Sequence, residues 1–537
     1  MSDISVKSDR PEYSKKQLNL AIVAILFASM AYWFTRFKAL SILPTIAGDL
    51  NGIKYYSWAT MMFMLCATIV APLWGKVSDI FGRKSILALL IGLMIIGDMT
   101  CAFAPNIFVF IVGFAICGLG GGGMQGIYYS LLGDLFTPDK RGKYGGMIMM
   151  LMGCTQLLLP LIAALITKTS TWRNVFFLTS SVYVIALVLS LLFIPAIKKL
   201  DVKKKIDFIG TILLACAVVP FLLALSWGGS TYAWNSPRII VMLVCSVIML
   251  VVTYFYEKHI PDYAVISIKL LKNSSFMFSC LVSMFMAFSM SAVTTYLPLF
   301  CEGVQEMSVI VFSTVLMPAS IFGIFAGGIA GWLMDKTKRY KWLMVMAPTS
   351  AMIVCVIYGL IPASTPIIYI VVLKISQNVF GASYMPSINP LAAMAQIQPE
   401  DFGVGTGTLN FITNLGNAIA PALLGSVLNG AYAKNIVANT AAIASNLTTE
   451  QTAIMSDARI LVNAKALDMF KGTFGSNLPL FEQAVQFVRD SLRGALSSVY
   501  LVAAGCVFFS IVFALCIKEI PLDQIEFKKP SMAAAKK

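Results

Sequence analysis

The chain is poor in charge and almost without histidine. Only 12% of its 537 residues are Asp, Glu, Lys or Arg, and His259 is the single histidine. One histidine excludes H-E-x-x-H metal sites and leaves His259 as the sole residue on which a His-Cys zinc site or a Ser-His or Cys-His triad could be built, which counts against both. The eleven cysteines stand singly, mostly within apolar runs and with no C-x-x-C. They read as small buried apolar residues, not as a disulfide framework or redox pair. No G-x-x-x-x-G-K-[ST] occurs, which excludes a P-loop ATPase in this chain. The run GLGGGGMQG at 118–126 has no following Lys-Ser/Thr and lies inside an apolar stretch, so it reads as a surface for close helix packing. Neither enzyme chemistry, nor a cofactor, nor a metal is expected.

What the chain has instead is apolar length. Hydrophobic residues make up 58% and the mean hydropathy is +0.82, where a soluble domain holds roughly 45–50%. A helix needs about 20 apolar residues to cross a bilayer. Fourteen such runs can be marked, the first at 18–40 and the last at 495–517, among them 145–166, 208–227 and 367–390. The first run follows a polar stretch with no evident cleavage site, so it reads as a retained span rather than a signal peptide.

Two parts of the sequence match at a nearly constant offset. Gly75 to Asp79 (GKVSD) corresponds to Gly331 to Asp335 (GWLMD), Pro160 to Pro421, and Pro105 to Pro366. The expected fold is therefore all-α and polytopic, with fourteen transmembrane helices in two six-helix repeats around a two-helix insert. Its divisions are a tail at 1–17, a first bundle at 18–200, the insert at 201–270, a second bundle at 271–517 and a tail at 518–537. Same-sense repeats of this kind are a transporter architecture with a midplane substrate site. The lipid bilayer, a small-molecule substrate and a proton or other ion gradient are the expected partners, and the protein is expected to be a monomer.

The net charge of +15 is mostly a topology signal. With the amino terminus inside, most Lys and Arg fall in the tails and inner loops, whereas the short outer loops hold Lys54, Lys168, Arg173 and Arg238. That bias predicts a plasma (inner) membrane protein with both termini cytoplasmic, and leaves no basic surface that asks for nucleic acid. One outer segment, 431–494, is long. Thr448 to Gln451 has capping-box spacing, and Phe481, Val485, Val488 and Leu492 share a helical face. A structural lid or interfacial helix is one reading; a surface for an external partner is the other.

At GKVSDIFGRKS, residues 75–85, the chain resembles the major facilitator superfamily. Gly75, Asp79, Gly82, Arg83 and Lys84 match the signature of its loop between helices 2 and 3. Together with LPTIAGDL at 43–50, Trp172-Arg173, LSWGG and YAWNSP, they resemble the fourteen-helix drug:proton antiporters over nearly the whole chain. The resemblance implies a gating cluster on the inner face, with Asp134 as the partner of Arg83 and Gly331 and Asp335 as the second copy. It implies proton-coupled efflux of amphipathic organic compounds, as in multidrug resistance. The chain departs from the family where coupling is usually built: Phe114 and Cys117 stand for the Arg and Gln of helix 4, Leu159 to Ala164 replace G-P-x-x-G-G, and Thr35 takes the acidic position of helix 1. Import of an organic anion by proton symport, and a membrane sensor that transports nothing, are the alternatives.

Charges inside spans are costly and mark function by default. Arg36 and Lys38 lie about 200° apart around a helix, so at most one faces a central cavity. Anchoring at the interface is the alternative reading of these charges. Lys374, Gln377 and Asn378 form one polar face on an apolar helix, a candidate for substrate or coupling contact, with a structural bond as the plainer reading. Asp98 is either a proton carrier or half of an interhelical bond. Glu302 and Glu306 read first as mouth residues. Gln125, Gln156, Asn410, Asn414 and Asn417 are candidates to line the pathway.

Overall fold

The structure is a computed structural model. It describes residues 14–50, 56–136, 138–195, 207–228, 232–260, 268–307, 309–382, 384–398, 401–440, 448–456, 460–461, 464–474 and 477–520. All its regular elements are helices: α1 (Lys15–Asp49), α2 (Tyr56–Phe81), α3 (Arg83–Ala102), α4 (Ile107–Leu135), α5 (Pro138–Thr169), α6 (Arg173–Phe193), α7 (Phe208–Trp227), α8 (Pro237–His259), α9 (Ile268–Lys272), α10 (Ser274–Pro298), α11 (Val309–Thr337), α12 (Lys341–Leu360), α13 (Ile367–Gln377), α14 (Met385–Ala395), α15 (Phe402–Thr440), α16 (Thr449–Met455), α17 (Ala464–Gly472) and α18 (Leu478–Cys516). Wide π-helical turns extend α10 over Leu299–Val304 and α13 over Asn378–Ala382.

Helices follow from the solvent. In a bilayer each backbone N–H and C=O must be satisfied within its own segment, which only a helix or a closed barrel achieves. Side chains close the helix ends where they meet polar surroundings. Asn106 accepts from the Val109 N–H at 3.0 Å, Asp207 from Gly210 at 2.7 Å and Asn273 from Phe276 at 3.3 Å. Apolar side chains such as Phe103, Leu192 and Leu360 stay exposed, as a lipid-facing surface requires.

The expected count of fourteen spans is not met. Among the described residues, eleven helices are long and apolar enough to cross a membrane. Such a set does not divide into two six-helix repeats around a two-helix insert. Three of the apolar runs account for the difference. The 208–227 run forms α7, within which the described apolar helix is the shorter Ile209–Leu225, and the 367–390 run is shared between α13 with its π-helical turn and the separate helix α14. The third, 145–166, lies within α5, whose side chains at 160, 161 and 164 fall outside the described residues.

Packing gathers α1 to α6 into one group, with α4 against α2 and α3, and α6 against α1 and α3. A second group is built on α10, α12, α15 and α18. The groups meet chiefly where α2 crosses α15 and α5 crosses α11, while α7 and α8 pair with each other beside α2. The described residues of the long segment 431–494 are folded onto the second group. The Tyr432 hydroxyl on α15 donates to the Met455 carbonyl at 2.7 Å, and Gln451 donates to the Thr473 carbonyl at 3.0 Å. Phe470, Phe474 and Phe481 form one aromatic cluster.

Candidate functional site

The first part of the site is the turn between α2 and α3. Gly82 has φ +93° there, a backbone conformation that a side chain disfavours. The turn allows α3 to begin at once, so Arg83 lies one helical turn from Asp79. Its guanidinium pairs with Asp79 at 3.2 Å and with Asp134 on α4. Lys84 is partly exposed on the first turn of α3.

Asp79 also reaches the second group. A Cβ placed on Gly403, in the first turn of α15, would collide with both carboxylate oxygens of Asp79. The carboxylate thus sits at the positive end of the α15 dipole. Beside it the two backbones touch, because a Cβ on Gly75 would strike the Gly403 carbonyl. Ser130 and Thr406 add a hydroxyl pair at 3.0 Å. The other crossing is built alike: a Cβ on Gly331 would strike the Gly142 carbonyl, and one on Gly146 would lie 2.8 Å from the Gly327 carbonyl. Small residues let helices approach this closely. The Asp335 side chain lies outside the described residues.

Sequence reasoning counted Arg141 only as a loop charge. The structure buries it, with donation to the Gly133 carbonyl at 2.6 Å and the Phe136 carbonyl at 3.0 Å. Its guanidinium lies 5.5 Å from the Phe402 ring centroid across the group boundary. The available signal was its neighbour Gly142, which contacts Gly331. Face to face, the two groups are therefore closed on the side of the α2–α3 turn.

Further along the helices the contact opens into a small cavity lined by Tyr32, Arg36, Thr68, Gln125, Asn410 and Asn414, with Phe63, Met64 and Ala67 as apolar wall. Asn410 and Asn414 are one turn apart on α15, which brings both to the same wall. Asn417 is half-buried and Gln156 is exposed; neither lines the cavity.

Lys38 points elsewhere. It forms a fully buried ion pair with Asp98 of α3. The Thr179 hydroxyl donates to the other Asp98 oxygen at 2.5 Å, Cys117 Sγ lies 3.3 Å from the carboxylate, and Thr35 and Tyr183 share a hydrogen bond at 2.6 Å. These groups tie α1, α3, α4 and α6 together. Where the resemblance implies an arginine, Phe114 stacks on Phe110 with centroids 5.5 Å apart.

Lys374 and Gln377 come together, with Nζ 3.3 Å from the Gln377 Oε1, while the Gln377 amide donates to the Ser289 hydroxyl at 3.2 Å. Asn378 donates to the Ala319 carbonyl at 2.9 Å. This polar face binds α13 to α10 and α11 and does not line the Arg36 cavity. Glu306 pairs with Arg489 of α18, and Glu302 lies in the π-helical turn after α10. Among the described residues no group of three or more His, Cys, Asp or Glu side chains could hold a metal.

Comparison with known proteins agrees with this architecture. Residues 25–421 match the family model described as Major Facilitator Superfamily. Multidrug resistance protein 3 of Bacillus subtilis (strain 168) is 27% identical over 397 residues, covering 73% of this chain and 76% of that protein. Multidrug transporter protein MdtP of the same organism is 25% identical over 516 residues, 91% of this chain and 92% of that one. The crystal structure of the human organic anion transporter MFSD10 (TETRAN) is similar, with a TM-score of 0.60 at 13% identity over 93% of this chain and 99% of that chain. At that identity the similarity is one of fold.

Proposed function

The chain belongs to the major facilitator superfamily, and from that premise we propose that it is a proton-coupled exporter of amphipathic organic compounds. As a member it is a secondary active transporter that works by alternating access, and not an enzyme. The observation that carries the export reading is the cavity between α1, α2, α4 and α15, shut on one side by the glycine crossings and by the Asp79–Arg83–Asp134 cluster. A mixed wall of amides and aromatic rings suits amphipathic molecules. The names of the two Bacillus relatives point the same way.

In the proposed cycle the closed face is cytoplasmic, in a plasma membrane with both termini inside. Parting the two crossings opens the cavity to the cytoplasm, and closing them commits the substrate outward. Gly331 and Asp335 serve the α5–α11 crossing as Gly75 and Asp79 serve the other. Energy comes from an ion gradient, since the chain holds no P-loop motif.

The test is transport in proteoliposomes that contain only this protein and a fluorescent amphipathic dye. A lumen more acidic than the bath should drive dye inward in exchange for outgoing protons. Dye uptake driven only by an acidic bath identifies symport, the organic-anion import reading, and sinks the exporter. No gradient-driven movement of any amphipathic ligand supports the membrane sensor.

A further inference from the structure

We infer that the cavity between α1, α2, α4 and α15 is an anion site, in which Arg36 binds the carboxylate of an amphipathic organic substrate. This deepens the transport reading above and rests on it for access to both sides of the membrane.

The first argument is a contrast within α1. Lys38 is neutralised inside its own group by Asp98. Arg36, two residues earlier and on the opposite side of the helix, lies in the wall of the cavity. Among the described residues it makes no hydrogen bond or ion pair with a protein group, and no Asp or Glu lines the cavity. A guanidinium at this depth is costly unless it is paired. None of the described residues supplies the counter-charge, and the ligand is the remaining source.

The second argument is independent of charge. Gln125, Asn410 and Asn414 line the same cavity, and their carboxamides make no hydrogen bond among the described residues. The Thr68 hydroxyl, by contrast, is already spent on the Met64 carbonyl at 2.7 Å. Asn410 is buried and Arg36, Gln125 and Asn414 are half-buried, so these groups are held in the cavity wall and left open to a ligand. Three unspent amides beside one unspent guanidinium form a donor-rich pocket.

The chemistry selects the ligand. A planar guanidinium matches a carboxylate with two parallel hydrogen bonds, and the amides can hold its remaining lone pairs. Phe63, Met64 and Tyr32 offer an apolar surface to the rest of the molecule. A lipophilic cation would meet like charge with no compensating carboxylate.

The test uses the full-length protein in nanodiscs and three probes of similar size: 4-biphenylcarboxylate, its methyl ester, and tetraphenylphosphonium. Calorimetric titration should give the carboxylate at least about 10-fold tighter binding than the ester. Arg36→Gln should erase that preference while keeping ester binding, and Arg36→Lys should keep part of it. Asn414→Ala should weaken the carboxylate several-fold with little change for the ester. Equal wild-type binding of carboxylate and ester, tighter binding of the phosphonium, or an unchanged preference in Arg36→Gln overturns the anion site. The wild-type comparison stands even if the Arg36 variants fail to fold. Flux of the same probes in proteoliposomes separates the two claims. Carboxylate bound with the stated preference, but moved by no gradient, upholds the site and overturns transport. Gradient-driven flux of ester and phosphonium without carboxylate binding does the reverse.

Discussion

Lys38 on α1 and Asp98 on α3 neutralise each other with both side chains wholly buried. The pair is completed by the Thr179 hydroxyl and by Cys117, so it is built as a structural tie. Removing one partner leaves an uncompensated charge in a low-dielectric interior, which costs about 3–5 kcal/mol. Lys38→Met and Asp98→Leu should each lower the thermal unfolding temperature sharply in detergent, and the double variant should recover most of the loss. If Asp98→Leu is as stable as wild type but transports without a pH gradient, Asp98 is a proton carrier and not a tie.

Asp79 acts across the group boundary, through the first turn of α15, as well as on Arg83. Asp79→Asn keeps the volume and loses the charge on both counts. Insertion should be unchanged while transport falls roughly 10-fold, the consequence of about 1.4 kcal/mol removed from the closed state. Unaltered transport by well-expressed variant protein would remove the gating role.

Gly75 and Gly403 tolerate no side chain where their backbones meet. Gly75→Val should hold the α2–α15 crossing apart. A cysteine introduced at Thr406, otherwise buried, should then react faster with a membrane-impermeant thiol reagent from the side of the α2–α3 turn. Equal labelling in the two backgrounds would mean that this crossing is not what closes the face.

Two arginines one turn apart on α18 give an internal control. Arg489 pairs with Glu306, whose side chain is 59% exposed; Arg493 donates to the Gly359 and Ile361 carbonyls at the end of α12. Arg489→Ala should cost no more than about 1 kcal/mol. Arg493→Ala removes the donor to the Ile361 carbonyl, while Ser497 still serves that of Gly359, and should cost about 1–3 kcal/mol. Denaturant unfolding compares the pair directly, and a reversed order would count against the folded outer segment as a stabilising clamp.

Lys374 is bonded to Gln377, within the polar face that joins α13 to its neighbours. Lys374→Gln should leave relative rates for anionic, neutral and cationic substrates within about 2-fold of wild type, a difference of less than 0.5 kcal/mol. A lost preference for anions in this variant would move the recognition site from α1 to α13.

The Asp79–Arg83–Asp134 ion pairs were approached in the sequence through the signature loop at 75–85, whose residues are nearly contiguous, while Asp134 came from the resemblance alone. Asp98 and Lys38 were not legible as a pair, since the contact joins helices 60 positions apart. Periodicity told that Arg36 and Lys38 diverge, but which of them faces the cavity depends on how α1 is rotated against α3 and α6. The span count failed for a related reason. Hydropathy sees one apolar run at 367–390, where the structure has α13 with its wide turn at Asn378–Ala382 and a separate helix from Met385. Arg141 was hidden in a basic cluster, where topology already explained its charge.

The α5–α11 crossing has a mechanical meaning beyond closeness. Gly142, Gly146, Gly327 and Gly331 bring backbone against backbone, with side chains such as Met334 and Ile324 reaching the partner helix only at its edges. Interdigitated surfaces move in jumps, one notch at a time, because each knob must leave its hole. A smooth contact has no notches. In the proposed cycle it would roll through small angles at nearly constant energy, as a bearing does, with the ion pairs at the α2–α3 turn as its catch. Filling one of these glycines would therefore do more than push two helices apart: it would turn a bearing into a ratchet, and its mark would be slow exchange between states more than a changed preference for either.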